Sequence, residues 1–265
     1  MFRKILFPID LSDLSRKGLA WTARNVADPS SEMVLVHVLE PIVGMDTGPM
    51  VHQAERSIGV IEAELTSIGI RNKSFVVVGD PYEILPEIAH SEGCSLCALF
   101  ADREDVVVPS LRLMAMPHLV FKASGGVMPP PDPFRRITVA ADLSPTRTDV
   151  VLRELKKLLA GRVVPMTILH SLFMEDTLTS TEMFQAAAAA LEEVRASVEK
   201  WNPGTGAEVL GGHPEVEILR RVEKIKPGML VVGLSVHGHF WELIVGSTGE
   251  AIIERSPCPV LVIPS

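Results

Sequence analysis

The chain has few cysteines, no excess of basic residues and no long apolar run, and each feature excludes a class of protein. Its cysteines, Cys94, Cys97 and Cys258, are too few for a disulfide framework. Lys and Arg total 25 against 33 Asp and Glu, so the formal charge of −8 offers no basic surface for nucleic acid. No apolar stretch approaches the length that spans a bilayer, and the first residues lack a signal-peptide pattern. We therefore expect a cytoplasmic protein that binds neither nucleic acid nor membrane.

Common catalytic motifs are also missing, namely G-x-S-x-G, H-E-x-x-H and the Walker lysine motif. Cys94 and Cys97 form a C-x-x-C pair at the start of a predicted strand, where residues three apart face opposite sides of the sheet. We interpret this pair as structural. His213, His237 and His239 lie near one predicted sheet edge, but no fourth ligand accompanies them. The sequence thus predicts neither a catalytic residue nor a metal site.

What the sequence does contain is an internal repeat at an offset of about 132 to 134 residues. Residues 2–12 return as 134–144 with six of eleven positions identical, 33–38 return as 166–171, and 79–81 return as 212–214. Between the copies, residues 124–133 are rich in Gly and Pro, which suits a linker rather than a helix or central strand. The repeat predicts one domain over 1–123 and a second over 134–265.

Each half alternates short apolar runs with helical patterns, which indicates a parallel sheet covered by helices. The predicted strands are 3–9, 33–39, 74–79, 95–101 and 118–122, then 135–141, 164–170, 207–211, 228–233 and 259–263. The predicted helices are 12–27, 50–69 and 81–92, then 145–160, 177–201, 214–226 and 246–256. The fold class is therefore α/β, with two repeated doubly wound domains that each contain a five-stranded parallel open sheet with helices on both faces.

Local signals place the helix starts and the ligand-binding edge. Ser12 and Ser144 are predicted to cap the helices that follow the first strands, and a proline opens the helices at 81 and 214. Ligands of such sheets lie beyond the carboxyl ends of the strands, where the strand order reverses. Asp10 and Asp142 end the first strands of the two halves, so both are predicted to lie at that edge.

These segments together resemble the universal stress protein family. The resemblance rests on a first strand of the form K-I-L-x-P-x-D-x-S, a second strand ending in H-V, a G-x-P-x-x-x-I turn and the closing P-C-P-V-L-V-I-P. It covers nearly the whole chain, twice. It implies a strand order of 3-2-1-4-5, and it implies that some members hold ATP through the motif G-x2-G-x9-G-[ST].

The second half keeps part of that motif. Gly233, Gly246 and Ser247 match its spacing, but Val236 replaces the middle glycine and the nearest glycine is Gly238. Either the loop runs through Gly238 or the phosphate cradle is damaged, since valine is a poor residue for positive φ. The first half has no glycine after its fourth strand and carries three acidic residues there, so it is predicted to be a structural copy.

The resemblance implies the following nucleotide site in the second half: Asp142 contacts the nucleoside, Ser171 presents its backbone to adenine, and the phosphates meet Gly233, Gly238, Gly246, Ser247 and Thr248. We expect ATP or AMP as a regulatory ligand, with Mg²⁺ accompanying ATP, and no catalysis. One alternative is a nucleotide-free module that binds unknown protein partners, as an internal pseudo-dimer or a homodimer. The weaker alternative is a slow ATP hydrolase.

Overall fold

The computed structural model describes residues 2–41, 44, 46–101, 113–123, 125–173, 180–234 and 248–265. The chain divides into two units, Met1–Pro131 and Asp132–Ser265. The predicted linker, 124–133, spans the boundary between them. Within the described residues, no helix combines the length and the apolar character needed to cross a membrane.

The first unit is a five-stranded parallel sheet in the order β3-β2-β1-β4-β5. Its elements are β1 (Lys4–Pro8), α1 (Asp13–Asn25), β2 (Glu32–Leu39), α2 (Gly48–Ser67), β3 (Arg71–Val78), α3 (Pro81–Ser91), β4 (Leu96–Phe100) and β5 (His118–Phe121). Strand β3 begins three residues earlier than predicted. Residues 71–73 are polar, and an edge strand accepts them because its outer positions face water.

The second unit repeats this topology in the order β8-β7-β6-β9-β10. Its elements are β6 (Ile137–Ala140), α4 (Pro145–Leu159), β7 (Met166–Leu172), α5 (Ser180–Glu199), β8 (Gly206–Gly211), α6 (Pro214–Ile225), β9 (Met229–Leu234), α7 (Thr248–Arg255) and β10 (Val260–Pro264). The fold class and the strand order 3-2-1-4-5 are thus confirmed in both units.

The central strands are buried on both faces, which explains their unbroken apolar sequences. Ile5, Leu6 and Phe7 of β1 are all fully buried although successive side chains point to opposite faces of the sheet. Leu230 and Val231 of β9 are buried in the same way. Helices must therefore cover both faces of each sheet, as in other doubly wound folds.

The two predicted serine caps have different outcomes. The Ser12 hydroxyl accepts a hydrogen bond from the Ser15 N–H at 3.1 Å, as expected of an N-cap. Ser144 occupies the N-cap position of α4, but its side chain makes no capping bond, so that prediction is wrong. The backbones of the two caps differ: ψ is 157° at Ser12 and 118° at Ser144. A proline restricts the backbone of the residue before it, and Pro145 follows Ser144 where Asp13 follows Ser12.

Candidate functional site

The strand register of the second unit gathers several candidate residues at one edge of its sheet. Ala140 of β6 pairs with Leu169 of β7 and with Val232 of β9, so Asp142 and Gly233 both follow at the carboxyl ends of neighbouring strands. Ser265 reaches the same edge, since its N–H donates to the Leu234 carbonyl at 2.8 Å. This edge includes the point between the first and fourth strands where the strand order reverses, the usual ligand position in such sheets.

A cleft of about 50 Å³ opens at this edge, between the strand ends and the first turns of α4. Small and apolar side chains form most of its walls, and its charged lining residues within the described part of the chain are Asp142 and Arg147. The lining residues are Val139, Ala140, Ala141, Asp142, Arg147, Thr148, Val151, Leu152, Gly233 and Ser265. Ligand pockets usually exceed about 300 Å³, so the cleft would enclose only part of a nucleotide.

The carboxylate of Asp142 organises the turn between β6 and α4. Its Oδ1 accepts the Ser144 N–H at 2.9 Å and the Thr148 hydroxyl at 3.4 Å, and its Oδ2 accepts from Arg147 Nε at 2.5 Å. The Asp142 side chain remains 46% exposed. A carboxylate offers about four acceptor positions, so a ligand hydroxyl could still reach it.

The β6–α4 turn also contains a leucine in a backbone conformation that leucine rarely adopts. Leu143 has φ of 58°, and its counterpart Leu11 in the first unit has φ of 67°. In both units the preceding aspartate accepts the N–H of the residue that follows the leucine. Because both copies share this strained turn, the turn belongs to the fold of the repeat rather than to one binding site.

Gly233 keeps the cleft open on the strand side. A Cβ at this position would lie 2.8 Å from Val151 Cγ2 and 3.3 Å from Ser265 Oγ. Carbon atoms in contact normally stand about 3.5–4.0 Å apart, so any side chain at 233 would push against α4. Glycine here is required by the space between the strand and the helix.

The first unit has an aromatic residue at the position equivalent to Gly233. Ile5 pairs with Leu96 as Ile137 pairs with Met229, so Phe100 stands where the second unit has Gly233. The Phe100 ring lies against α1, 2.8 Å from where a Cβ on Gly18 would be. It also packs edge-on against Phe121, with ring centroids 5.5 Å apart.

The remaining predicted nucleotide-site residues have separate places. Ser171 is buried in β7 and its hydroxyl donates to the Gly212 carbonyl at 3.0 Å, so its side chain is already engaged. Thr248 begins α7. Val236, Gly238, Gly246 and Ser247 lie outside the described residues, as does the acidic stretch of the first unit.

Two histidines near the ends of the second strands make equivalent backbone contacts. His37 Nδ1 lies 2.7 Å from the Ile9 carbonyl oxygen, and His170 Nδ1 lies 2.8 Å from that of Ala141. A carbonyl oxygen only accepts, so Nδ1 carries the proton in each ring. Each bond links the second strand of its unit to the residue that follows the first strand, at equivalent positions of the repeat.

Those of the other candidate metal and redox residues that the structure describes do not assemble into a site. His213 stacks on Phe173 with ring centroids 4.3 Å apart, whereas His237 and His239 lie outside the described residues. Within the described part of the chain, no group of three His, Cys, Asp or Glu side chains could hold a metal ion. Burial raises the pKa of the Cys94 thiol to about 11 and raises that of Cys97 further, so neither forms the reactive thiolate.

The sequence did not point to the α4 side of the cleft. Arg147, Thr148, Val151 and Leu152 have the spacing of one helix face, a signal that ordinary core packing also produces. Ser265 gave no signal, because only the pairing of β10 with β9 brings it to the cleft. A comparison of the two copies could have found Arg147, since the first copy has Ser15 there.

Comparison with known proteins identifies the family. The sequence model of the universal stress protein family matches residues 1–101 and 133–264. Two universal stress proteins of Methanocaldococcus jannaschii are similar to the chain. The first is 34% identical over 74 residues, which are 28% of this chain and 44% of that protein. The second is 23% identical over 120 residues, which are 36% of this chain and 74% of that protein.

Solved structures match nearly the whole chain. A universal stress protein from Archaeoglobus fulgidus superposes with a TM-score of 0.74 at 22% identity, covering 98% of this chain and 96% of its own. A putative universal stress protein from Pseudomonas aeruginosa superposes with a TM-score of 0.69 at 16% identity, covering 99% of this chain and 93% of its own. At these identities the structural likeness shows the fold alone. Because the family model covers both repeats, the chain belongs to the universal stress protein family.

Proposed function

We propose that the second unit binds an adenine nucleotide, AMP or ATP, as a regulatory ligand and without turnover. The observation that carries the proposal is the difference between the two copies of one fold. The second unit has a cleft at the switch point of its sheet, lined by Gly233, whereas the first unit has the bulky Phe100 at the equivalent position. The binding site is therefore assigned to the second unit alone.

Asp142 is the proposed nucleoside contact. It lines the cleft, is half exposed, and retains acceptor capacity for a ribose hydroxyl. The backbone at Ser171, on the neighbouring strand, is the proposed contact for adenine. Its buried hydroxyl is committed to Gly212, so only main-chain groups of Ser171 would serve.

The phosphates are proposed to meet Gly233, Gly238, Gly246, Ser247 and Thr248, of which Gly233 and the start of α7 at Thr248 are described. Glycine lets the backbone approach a phosphate, and N–H groups at a helix start favour anionic oxygens. Mg²⁺ would arrive with ATP and be held mainly by the phosphates, since the described residues form no metal cluster of their own.

The test is calorimetric titration of the full chain with AMP, and with ATP in the presence and absence of Mg²⁺. We expect one site per chain. Val236→Gly and Gly238→Val locate the phosphate contact: enhancement by the first change indicates a damaged cradle, and loss of binding with the second indicates a loop that runs through Gly238. No heat with either nucleotide would refute the proposal and favour a nucleotide-free role in protein contacts.

A further inference from the structure

Arg147 is placed where it can act on a bound ligand. It lies in the first turn of α4, after Pro145 at the start of the helix, and it lines the cleft beside Asp142. Its side chain is 43% exposed. Its only hydrogen bond to other described residues is the one from Nε to Asp142 Oδ2. A guanidinium has five N–H donors, so most of its capacity is uncommitted.

The charge balance of the cleft depends on this residue. Asp142 carries a negative charge at the position proposed for the nucleoside, and it would repel a phosphate bound nearby. Arg147 is the cation that offsets it among the described lining residues. The start of α4 adds a small positive potential, which by itself selects no ligand. Without Arg147, the described walls of the cleft would favour an uncharged nucleoside.

The ion pair between Arg147 and Asp142 can be replaced by a contact of Arg147 with a ligand at little cost to the fold. Exposed pairs contribute little to stability because water competes for both groups. If the bond from Arg147 breaks, Asp142 still accepts hydrogen bonds from the Ser144 N–H and the Thr148 hydroxyl, which hold the turn. Arginine also matches phosphate oxygens with two parallel N–H donors, which a single carboxylate contact at Nε does not use.

The first unit lacks this arrangement at the equivalent position. Ser15 takes the place of Arg147, and its N–H donates to the Ser12 hydroxyl within the helix cap. Asp10, the counterpart of Asp142, keeps the turn bond to the Ser12 N–H. The arginine is therefore a property of the unit with the open cleft, and the repeat can fold without it.

We propose that Arg147 determines specificity in the second unit by turning from Asp142 to the phosphate of the ligand, so that the cleft prefers a nucleoside phosphate to the nucleoside. This inference rests on the proposed function of the cleft. It adds a phosphate contact that does not depend on the interrupted glycine motif.

The test compares AMP and adenosine as ligands of the full chain by calorimetry. Charge-assisted hydrogen bonds to phosphate predict that Arg147→Gln weakens AMP binding roughly 10- to 100-fold while adenosine affinity changes much less. Arg147→Lys should retain an intermediate preference, because lysine keeps the charge and loses the paired donors. Arg153→Gln is the matched control, since Arg153 lies on the same helix, is 62% exposed and does not line the cleft.

The outcomes separate this inference from the proposed function. An unchanged ratio of AMP to adenosine affinity in Arg147→Gln, with both ligands still bound, overturns the role of Arg147 and leaves the nucleotide site intact. No binding of AMP or adenosine by the natural chain overturns both. Equal losses of AMP affinity in Arg147→Gln and Arg153→Gln would indicate that only the overall charge matters, and this too would refute the specific role of Arg147. Hydrogen exchange of β6 and α4 confirms that each variant keeps its fold.

Discussion

Replacement of Gly233 by alanine tests whether the space between β9 and α4 is as tight as the structure shows. The added Cβ would stand 2.8 Å from Val151 Cγ2, closer than normal contact by about 0.7–1.2 Å. Val151 is 3% exposed, and Thr148, Leu152 and Leu155 on the same face of the helix are also buried, so Val151 has little room to move. Overpacking of this kind costs about 1–3 kcal/mol in the free energy of unfolding. The same methyl group would enter the cleft and weaken AMP binding.

A double-mutant cycle makes this prediction specific. Val151→Ala alone should cost about 1.5–3 kcal/mol through lost burial and a new cavity. It also removes the atom that the new Cβ would meet. The double variant should therefore lose about 1 kcal/mol less in free energy of unfolding than the sum of the two single losses, and its AMP affinity should recover in part. Gly59→Ala is the control, because nothing lies within 4 Å of a Cβ there and alanine favours helix α2 by about 0.5–1 kcal/mol.

The assay is native-state hydrogen exchange of β9, with β4 as the reference strand of the other unit, alongside AMP calorimetry. Exchange reports each unit separately, which a single denaturation midpoint of a two-unit chain does not. Strictly additive losses for Gly233→Ala and Val151→Ala would refute the steric argument. Full AMP affinity in Gly233→Ala would refute the placement of the site at the cleft.

Three further predictions concern the first unit and the thiols. Phe100→Ala should destabilise the first unit by about 2–4 kcal/mol, measured by exchange of β4, and leave AMP affinity unchanged; loss of AMP binding would contradict the assignment of the site. Lys73 and Lys4 hold the pKa of Glu92 below its ordinary value of 4.5, so its contribution to stability is present above that pH and is lost as the pH falls through the lowered pKa. In the Glu92→Gln variant, the melting temperature should therefore fall less steeply as the pH is lowered below 4.5. The same steepness in the variant and the natural chain would contradict a stabilising ion pair at Glu92. Burial raises the pKa of the thiols of Cys94, Cys97 and Cys258. Iodoacetamide should therefore alkylate these thiols far more slowly at pH 8 in the folded chain than in the unfolded chain. Equal alkylation rates in the two states would contradict the burial of the thiols.

Much of the fold could be predicted because its signals are local or repeated. Unbroken apolar runs such as Ile5 to Phe7 identify strands buried on both faces, and the copied segments show that the second half repeats the first. Prolines at 81 and 214 predicted the starts of α3 and α6, and both begin there. These features follow from backbone sterics and from the alternation of side chains, which act over a few residues.

The capping of α4 shows that a residue preference at one position does not by itself predict a contact. Ser12 and Ser144 both follow an Asp-Leu pair, but Pro145 comes after Ser144 where Asp13 comes after Ser12, and the Ser144 hydroxyl makes no capping bond. The difference lies in a backbone rotation of about 40° in ψ, from 157° to 118°. A residue preference states which side chains can cap a helix, and the backbone conformation at the cap position decides whether one does.

By itself, the sequence determined the repeat, the strand order through family resemblance, and the asymmetry of the glycine motif between the two halves. Only the tertiary structure decided that Phe100 and Gly233 are alternatives at one position, that Ser265 reaches the cleft, and that Arg147 neutralises Asp142 there. The physical reason is that strand register and helix docking join residues far apart in the chain. A side chain fills or opens a cleft according to its distance from the opposite wall, and the order of residues along the chain does not encode that distance directly.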